Sequence, residues 1–582
     1  MKSGPGSDVL KKGVMPVHHF KRRTERTSAV SLRLAGFCLL LLLGLMPAAG
    51  AVESPEEPAP PSEEIQATVE TLLRNYQEAA MLYEPRDLRT GTVLDPALPA
   101  PEEPQTFLIG EEEVPLEQLG DNLIFLEKKA VFHALMRQLQ GIYRQELQLF
   151  YHFGEPTITD NVCRISVKET EQFRYTDSQR LSVNETFYTV RLVKLEDRWL
   201  IADVTDGSRF DKLYKSHGAA FDEYAALSAF SASLEQEGCT VSFPYAPSGD
   251  TAGRTLYNGA NASAYAYTYS RLEAGTPRSE FYNPQFYRYD GEGGDCQNFA
   301  SQCMWAGFGG SQTDAAIRRT ASPMDASGDY QWFGRAASGG PINYSWVSCK
   351  SFRKYLTGTE DGTGPAGSNA AEEPGMYATI LDVSAGSALT GASPEELVGA
   401  VAHVEGSGGS YSHAIVLTAA AGNRRSEIWY CGHTKDVSHM KLGDYYIWPM
   451  KVYIPRYMRQ TSAESLQVER LQPVEAGTSA PLAFQCQKAK DRLIINVTPP
   501  GGVQTRAAAS YGTDHCQTEY LFSEPGLYQI ECAAKDSAWT IETYYVRCYA
   551  PSVPEIDDAP AENPEENPGW DDPTEAIEAS VW

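Results

Sequence analysis

The stretch from residue 293 to 307, GGDCQNFASQCMWAG, places a cysteine directly after a flexible turn and at the start of a helical pattern. Asp is favoured at helix N-caps, where its carboxylate accepts hydrogen bonds from exposed amides, so the pattern predicts a helix with Asp295 as the cap and Cys296 as the first residue. The Cys296 sulfur would then lie at the positive end of the helix dipole, which stabilises a thiolate. The same amides could hold an oxyanion, and Gly294 would let a substrate approach from the turn. We therefore predict a nucleophilic thiol at Cys296, the alternative being a half-buried cysteine without a chemical role.

Cys303 serves as an internal comparison for this prediction. It lies two helical turns after Cys296, on the apolar stripe that also contains Phe299 and Met304. Its sulfur should point into the core about 10 Å further along the helix axis. We therefore interpret Cys303 as a packing residue.

A cysteine nucleophile requires a base, and two histidines are the candidates. His413 opens a strand-like run, HAIVLT, and His433 ends a second run, EIWYCGH, after the turn AGNRR. If the hairpin is centred on Asn423, His413 lies directly opposite His433, with Cβ atoms about 4.5–5.5 Å apart. One imidazole would take the thiol proton, and the second imidazole would fix the orientation of the first. A register slip of one residue would remove this arrangement.

Two other interpretations of these histidines remain open. Each could be an ordinary surface or core residue. Alternatively, His413, Cys431 and His433 could bind a metal, although the chain has no HExxH motif and no carboxylate is obviously placed to complete such a site. We favour the catalytic interpretation and predict neither a metal nor another cofactor.

The N-terminus has the pattern of an export signal. Basic residues precede the apolar run LAGFCLLLLLGLM, and Ala49-Gly50-Ala51 matches a small-x-small cleavage site. The run has 13 residues, whereas a membrane span needs about 20. We therefore expect a secreted or cell-wall-associated protein with a signal peptide over 1–51, the alternative being an uncleaved anchor.

The charge of the chain limits its partners. The formal net charge is −27, and the first 51 residues carry +6, so the remaining residues carry −33. Such an acidic chain does not bind nucleic acid by neutralising phosphates, and we predict no nucleic-acid partner. It is equally unsuited to an anionic membrane surface.

Composition and periodicity predict an α+β multidomain protein with six parts. Helical spacing between residues 65 and 80, a helix from about Leu123 to Phe150 and several alternating runs predict a small helix-plus-sheet domain that resembles the nuclear transport factor type. The β-like runs after residue 461 predict an immunoglobulin-like sandwich. The parts are a signal peptide (1–51), a linker (52–64), an α+β accessory domain (65–245), the cysteine domain (246–460), the sandwich (461–552) and an acidic disordered tail (553–582).

Four cysteines of the predicted sandwich lie close together in the sequence. In an exported protein an even cluster suggests two disulfide bridges, with three pairings open. They are Cys486, Cys516, Cys532 and Cys548.

The cysteine motif and its surroundings resemble a known family. DCQNFASQCMWAG is similar to the Asp-Cys-Thr-Asn-Phe-x-Ser-Gln-Cys signature of the putative amidase domain family, which is grouped with papain-like cysteine hydrolases. YNGANASAYAYTYS, SWVSCKSFRKYL, HAIVLT and CGHTKDV resemble its other segments, so that about 250–455 is covered. The resemblance implies a nucleophile at Cys296, a base at His413 and a third polar residue at His433. The sequence departs from the family at Gln297, where Thr is usual, and in the segment EELVGAVAHVEGSGGSYSH, where a Gly-Asp turn is expected.

Together these observations predict an exported cysteine amidohydrolase with a central papain-like domain. Its expected substrate is an amide bond in peptidoglycan or peptides, and the flanking domains would bind cell wall or a protein partner. Two other classes stay open, namely a non-catalytic wall-binding or adhesive protein and a transglutaminase-like crosslinker. Trp332 and Trp346 are candidates for the cleft lining, or for the core.

Overall fold

A computed structural model describes the protein over 61–82, 88, 106–109, 112–195, 198–208, 210–211, 221–242, 254–289, 295–310, 332–358, 376–405, 410–459 and 466–551. The predicted signal peptide, the linker up to residue 60 and the acidic tail lie outside these residues. So do the expected domain boundaries near 245 and 460 and Gly294 of the predicted oxyanion region. In the part of the chain that is described, no helix is both long and apolar enough to cross a membrane.

The described chain is mixed α and β, mostly β, with large antiparallel sheets. The helices, including four-residue turns, are α1 (Pro61–Leu82), α2 (Leu116–Leu139), α3 (Glu223–Leu234), α4 (Gly259–Thr268), α5 (Arg278–Phe281), α6 (Cys296–Gly307), α7 (Tyr344–Val347), α8 (Cys349–Thr357), α9 (Pro394–Leu397) and α10 (Leu442–Tyr445). The strands before the cysteine helix are β1 (Thr106–Ile109), β2 (Glu112–Pro115), β3 (Arg144–Phe153), β4 (Thr157–Thr159), β5 (Val162–Tyr175), β6 (Leu181–Leu195), β7 (Arg198–Thr205), β8 (Cys239–Ser242) and β9 (Arg254–Leu256).

The remaining strands build the central sheet and the C-terminal sheets. Those of the central sheet are β10 (Met376–Val383), β11 (Val401–Glu405), β12 (Tyr411–Ala420), β13 (Ile428–Gly432), β14 (Val437–Lys441) and β15 (Met450–Arg459). Those of the C-terminal sheets are β16 (Gln467–Glu469), β17 (Val474–Glu475), β18 (Thr478–Lys490), β19 (Arg492–Thr498), β20 (Thr505–Ser510), β21 (Thr513–Phe522), β22 (Gly526–Lys535) and β23 (Trp539–Tyr549).

One sheet of 13 strands joins the N-terminal and central parts. Its main order is β3-β5-β6-β14-β13-β12-β11-β15-β10-β8, and the join is the pairing of Ser438 in β14 with Val183 in β6. Buried side chains of α4, α6 and α8 pack on one face of the central strands. A second apolar cluster covers the other face. The central strands therefore form the support on which the cysteine helix lies.

The predicted helix from Leu123 to Phe150 is only partly correct. Helix α2 ends at Leu139, and strand β3 begins at Arg144. Gly141 has a φ of 65°, a left-handed conformation that ends a helix without strain. After it the chain pairs with β5 instead of continuing as a helix, so tertiary pairing overrides local propensity there.

The C-terminal part has a three-stranded sheet, β16-β18-β21, and a five-stranded sheet, β17-β23-β22-β19-β20, around one apolar core. The prediction of two disulfide bridges here is wrong, because all four cysteines are free thiols in the structure. All four are buried, so they serve this core as small apolar side chains.

Candidate active site

Cys296 is the first residue of helix α6, as predicted. The backbone N–H of Phe299 donates to the carbonyl of Asp295 at 2.9 Å, which starts the helix after Asp295. Cys296 is partly exposed, whereas Cys303 is fully buried in the core, where burial raises the pKa of its thiol well above the usual value. The prediction that Cys303 is a packing residue is confirmed, and the role of Cys296 as a nucleophile stays a prediction.

The Asp295 side chain departs from the prediction. Asp295 is the N-cap residue, but its carboxylate makes no capping bond to the helix amides. Its Oδ1 atom accepts from the Asn298 side chain at 2.7 Å and from the Tyr289 backbone N–H at 3.2 Å. Its Oδ2 atom lies 2.9 Å from His433 Nδ1. Three neighbours outside the helix amides therefore hold a carboxylate that was expected to cap the helix.

The surroundings of Cys296 favour its thiolate. The largest cause is a hydrogen bond from the Cys349 thiol, which lowers the pKa of Cys296 well below the usual value for a thiol. Burial opposes this shift, while a hydrogen bond and the charge of His413, together with the Ala414 backbone amide, reinforce it. The predicted low pKa thus has an unexpected main cause, since the partner is a second thiol.

His413 lies beside Cys296, near the start of strand β12. It pairs with Val404 of β11, and its ring centroid is 6.3 Å from that of Tyr446. The His413 Nε2 atom is buried and has no hydrogen-bond partner among the described residues, although His413 lowers the pKa of Cys296. His413 therefore lies close enough to Cys296 to act on its proton, and catalytic hydrogen bonds often shorten only when substrate is bound.

The predicted pairing of His413 with His433 across the hairpin is wrong. Val416 pairs with Cys431, a register one residue away from the predicted one, and a bulge follows Leu417. The turn is also longer than expected, because a 3₁₀ helix occupies Arg425–Glu427. A one-residue slip reverses the faces of the strand, and within the described residues no hydrogen bond or ring contact joins the two histidines.

His433 instead packs against the start of helix α6. Its Nδ1 atom faces Asp295 at 2.9 Å, and its Nε2 atom lies 2.7 Å from the Tyr269 carbonyl oxygen. The ring lies between Phe299 and Tyr282, with centroid distances of 3.8 and 4.1 Å. The structure therefore brings together two pairs, Cys296 with His413 and Asp295 with His433.

Two features of the site escaped the sequence analysis. Cys349 is the first residue of helix α8, and Ser348 caps that helix by accepting from the Ser351 amide. A capping residue followed by cysteine is the same signal that singled out Cys296, and it could have revealed Cys349. The second feature is Gln297, whose Oε1 atom lies 2.7 Å from Nε2 of the buried His403. This contact joins the cysteine helix to strand β11, and no local sequence pattern indicates it.

The two tryptophans that were candidates for the cleft lining lie in the core. Trp332 and Trp346 are almost fully buried, with ring centroids 4.6 Å apart, so they belong to the core and not to an exposed cleft lining. The Trp332 indole donates to Ser301 at 3.3 Å, and the Trp346 indole donates to Asn298 at 2.8 Å, which fixes the inner side of helix α6.

Among the residues that the structure describes, no group of three His, Cys, Asp or Glu side chains could hold a metal ion.

Comparison with known proteins gives a match to a solved structure and a match to a domain family. The crystal structure of the Kfla4162 protein from Kribbella flavida is 18% identical and aligns with 25% of this chain and 90% of its own, but its TM-score of 0.14 supports no conclusion about fold. No curated protein matches the chain. The family model described as "Putative amidase domain" matches residues 256–454, a range that contains Cys296, His413 and His433. This part of the chain accordingly matches a domain family of amidase-type hydrolases.

Proposed function

We propose that the protein is an exported cysteine amidohydrolase that cleaves amide bonds in peptidoglycan or peptides. The observation that carries the proposal is the placement of Cys296 on the first turn of helix α6 with His413 of β12 beside its sulfur. A thiolate, a base and uncapped helix amides are the groups that acyl transfer from an amide requires.

In the proposed reaction His413 takes the thiol proton, and the Cys296 sulfur attacks the amide carbonyl carbon. The first-turn amides of α6 hold the oxyanion of the tetrahedral intermediate. The C–N bond then breaks, and His413 gives its proton to the leaving amine. Water, deprotonated by His413, attacks the thioester, and the product carboxyl group leaves while the sulfur regains its starting state.

The proposal extends to the fold and to the flanking parts. A cysteine helix packed on an antiparallel sheet that supplies the histidine supports a papain-like centre. Helices α1 and α2 pack on strands β5, β6 and β7, and the two C-terminal sheets enclose one core. These arrangements support the expected nuclear transport factor-like and immunoglobulin-like domains, which would bind cell wall or a protein partner. The proposed location is secreted or wall-associated, which the signal-peptide pattern within 1–51 supports.

Mass spectrometry of purified peptidoglycan and of a peptide mixture, each incubated with the protein lacking residues 1–51, tests this proposal. We expect new amine and carboxyl termini from the native protein and none from Cys296→Ala. Cys303→Ala is the matched control, because it removes the other cysteine of the same helix. Equal products from native protein and Cys296→Ala would refute the cysteine mechanism. Products joined to a second amine would indicate acyl transfer. If a thiol-reactive probe labels Cys296 but no product forms, the protein is non-catalytic.

A further inference from the structure

The Asp295 carboxylate does not bond to the backbone amides of helix α6, although Asp295 is the N-cap residue. A capping Asp has extended backbone angles and accepts from the second or third amide of the helix. Asp295 has φ −97° and ψ 3° and makes no such bond. Its side chain is instead held by His433, Asn298 and Tyr289, and its backbone N–H donates to Thr434 Oγ1 at 3.0 Å. Two consecutive residues, His433 and Thr434, therefore fix its side chain and its main chain.

Both ring nitrogens of His433 face an oxygen atom at hydrogen-bond distance. Nδ1 faces a carboxylate oxygen of Asp295 at 2.9 Å, and Nε2 faces the Tyr269 carbonyl oxygen at 2.7 Å. A carbonyl oxygen only accepts, and Oδ1 of the same carboxylate already accepts from two N–H groups. The arrangement is satisfied when His433 carries both protons and Asp295 is ionised. Both residues are almost fully buried, which makes this charge-assisted bond strong.

We propose that His433 is a positioning residue that withholds the Asp295 carboxylate from the N-terminus of helix α6. The first-turn amides then stay free for the Cys296 thiolate and, as far as the proposed hydrolase function holds, for the oxyanion. If His433 loses its donors, the carboxylate can turn to the amides, where it would occupy the anion site and place a negative charge beside the sulfur. A second negative charge within about 4–6 Å disfavours ionisation of the thiol.

The test is a double-mutant comparison of Cys296 alkylation by iodoacetamide in the native protein at one pH. His433→Phe keeps an aromatic ring between Phe299 and Tyr282 but removes both donors, and we expect alkylation to slow on the order of tenfold. Asp295→Asn alone should slow alkylation less than His433→Phe does, because it places no negative charge beside the sulfur. The double variant should regain most of the native rate, because the released side chain then carries no charge.

The sign of the interaction between the two substitutions decides the proposal. A purely structural role predicts that the double variant is as slow as His433→Phe or slower, and that result would overturn the proposal. The control is His439→Phe, which alters another buried histidine that hydrogen-bonds to Ser178 and Tyr267, away from α6. It should leave the alkylation rate unchanged, and an equal loss there would also overturn the proposal.

A second measurement does not depend on the variants folding. ¹⁵N NMR of the native protein should show a proton on Nδ1 of His433, the nitrogen that faces Asp295, whereas an Nδ1 without a proton would overturn the proposal. Neither experiment needs a substrate. A failed product screen would therefore refute the proposed hydrolase while leaving these results to be judged separately.

Discussion

Replacing Cys349 by Ala should raise the pH at which Cys296 becomes reactive. The Cys349 thiol is the largest cause that lowers the pKa of Cys296, and Cys349 is itself buried. Its own pKa is raised well above the usual value by the same hydrogen bond and by burial, so it remains a protonated donor while Cys296 ionises. No local sequence pattern indicates that Cys349 and Cys296 are partners, so the substitution tests the tertiary arrangement directly.

The expected rise in the pKa of Cys296 follows from the strength of the hydrogen bond that the Cys349 thiol donates. A hydrogen bond to a charged group contributes about 1.5–3 kcal/mol, and the thiol is a weak donor, which places this bond at the lower end. A loss of about 1.4 kcal/mol corresponds to a tenfold lower thiolate fraction at a pH below the pKa. Because the native pKa is lowered, reactivity in the native protein should persist as pH falls below the usual thiol range. In Cys349→Ala that reactivity should disappear at a higher pH.

The assay is iodoacetamide alkylation of the folded protein from about pH 5 to about pH 9, with the sites mapped by peptide mass. Cys349→Ser is the control, because its hydroxyl keeps a donor at the same position, and its profile should lie close to the native one. Identical profiles for the Ala variant and the native protein would refute the reasoning. Alkylation of Cys303 before Cys296 would refute the assignment of the nucleophile itself.

Three further predictions concern the base, the buried charges and the sandwich. His413→Ala should reduce turnover of the amide found in the product screen by about 10²–10⁴-fold and slow Cys296 alkylation at neutral pH, since it removes the proton acceptor; unchanged kinetics would exclude His413 as the base. Burial raises the pKa of Asp444, but Arg144 and Arg137 outweigh it and hold that pKa well below its usual range, so its stabilisation is present at neutral pH and is lost as pH falls below the ordinary Asp range. Urea denaturation of Asp444→Ala should show a free energy of unfolding lower by about 3–5 kcal/mol, and a change under about 1 kcal/mol would contradict this. Alkylation without reduction should label the four sandwich cysteines only after unfolding, and a peptide pair linked by a disulfide would contradict the structure; these are Cys486, Cys516, Cys532 and Cys548.

Local patterns in the sequence determined the start of the cysteine helix and the burial of Cys303 in the core. Asp295 followed by Cys296 marked the first turn, and the spacing of Cys303 on the apolar stripe marked the core, because helix geometry depends on neighbours three and four residues apart. The strand that carries His413 was equally visible from its apolar run. These features involve short sequence separations, and the structure has them where the patterns predict.

Only the tertiary structure decided the partners of these residues. The register of β12 against β13 depends on a bulge and a 3₁₀ turn, and one residue of slip moved His433 from His413 to Asp295. The Cys349 contact joins residues 53 positions apart in the sequence, and the Gln297 contact with His403 joins residues 106 positions apart. Such contacts depend on how helices α6 and α8 pack on the central sheet, which the spacing of residues within either helix does not specify. The sequence by itself thus predicted Cys296 as the nucleophile of the proposed reaction and placed it at the start of its helix. Packing decided which groups lower the pKa of Cys296 and hold its helix, because those groups come from distant parts of the chain.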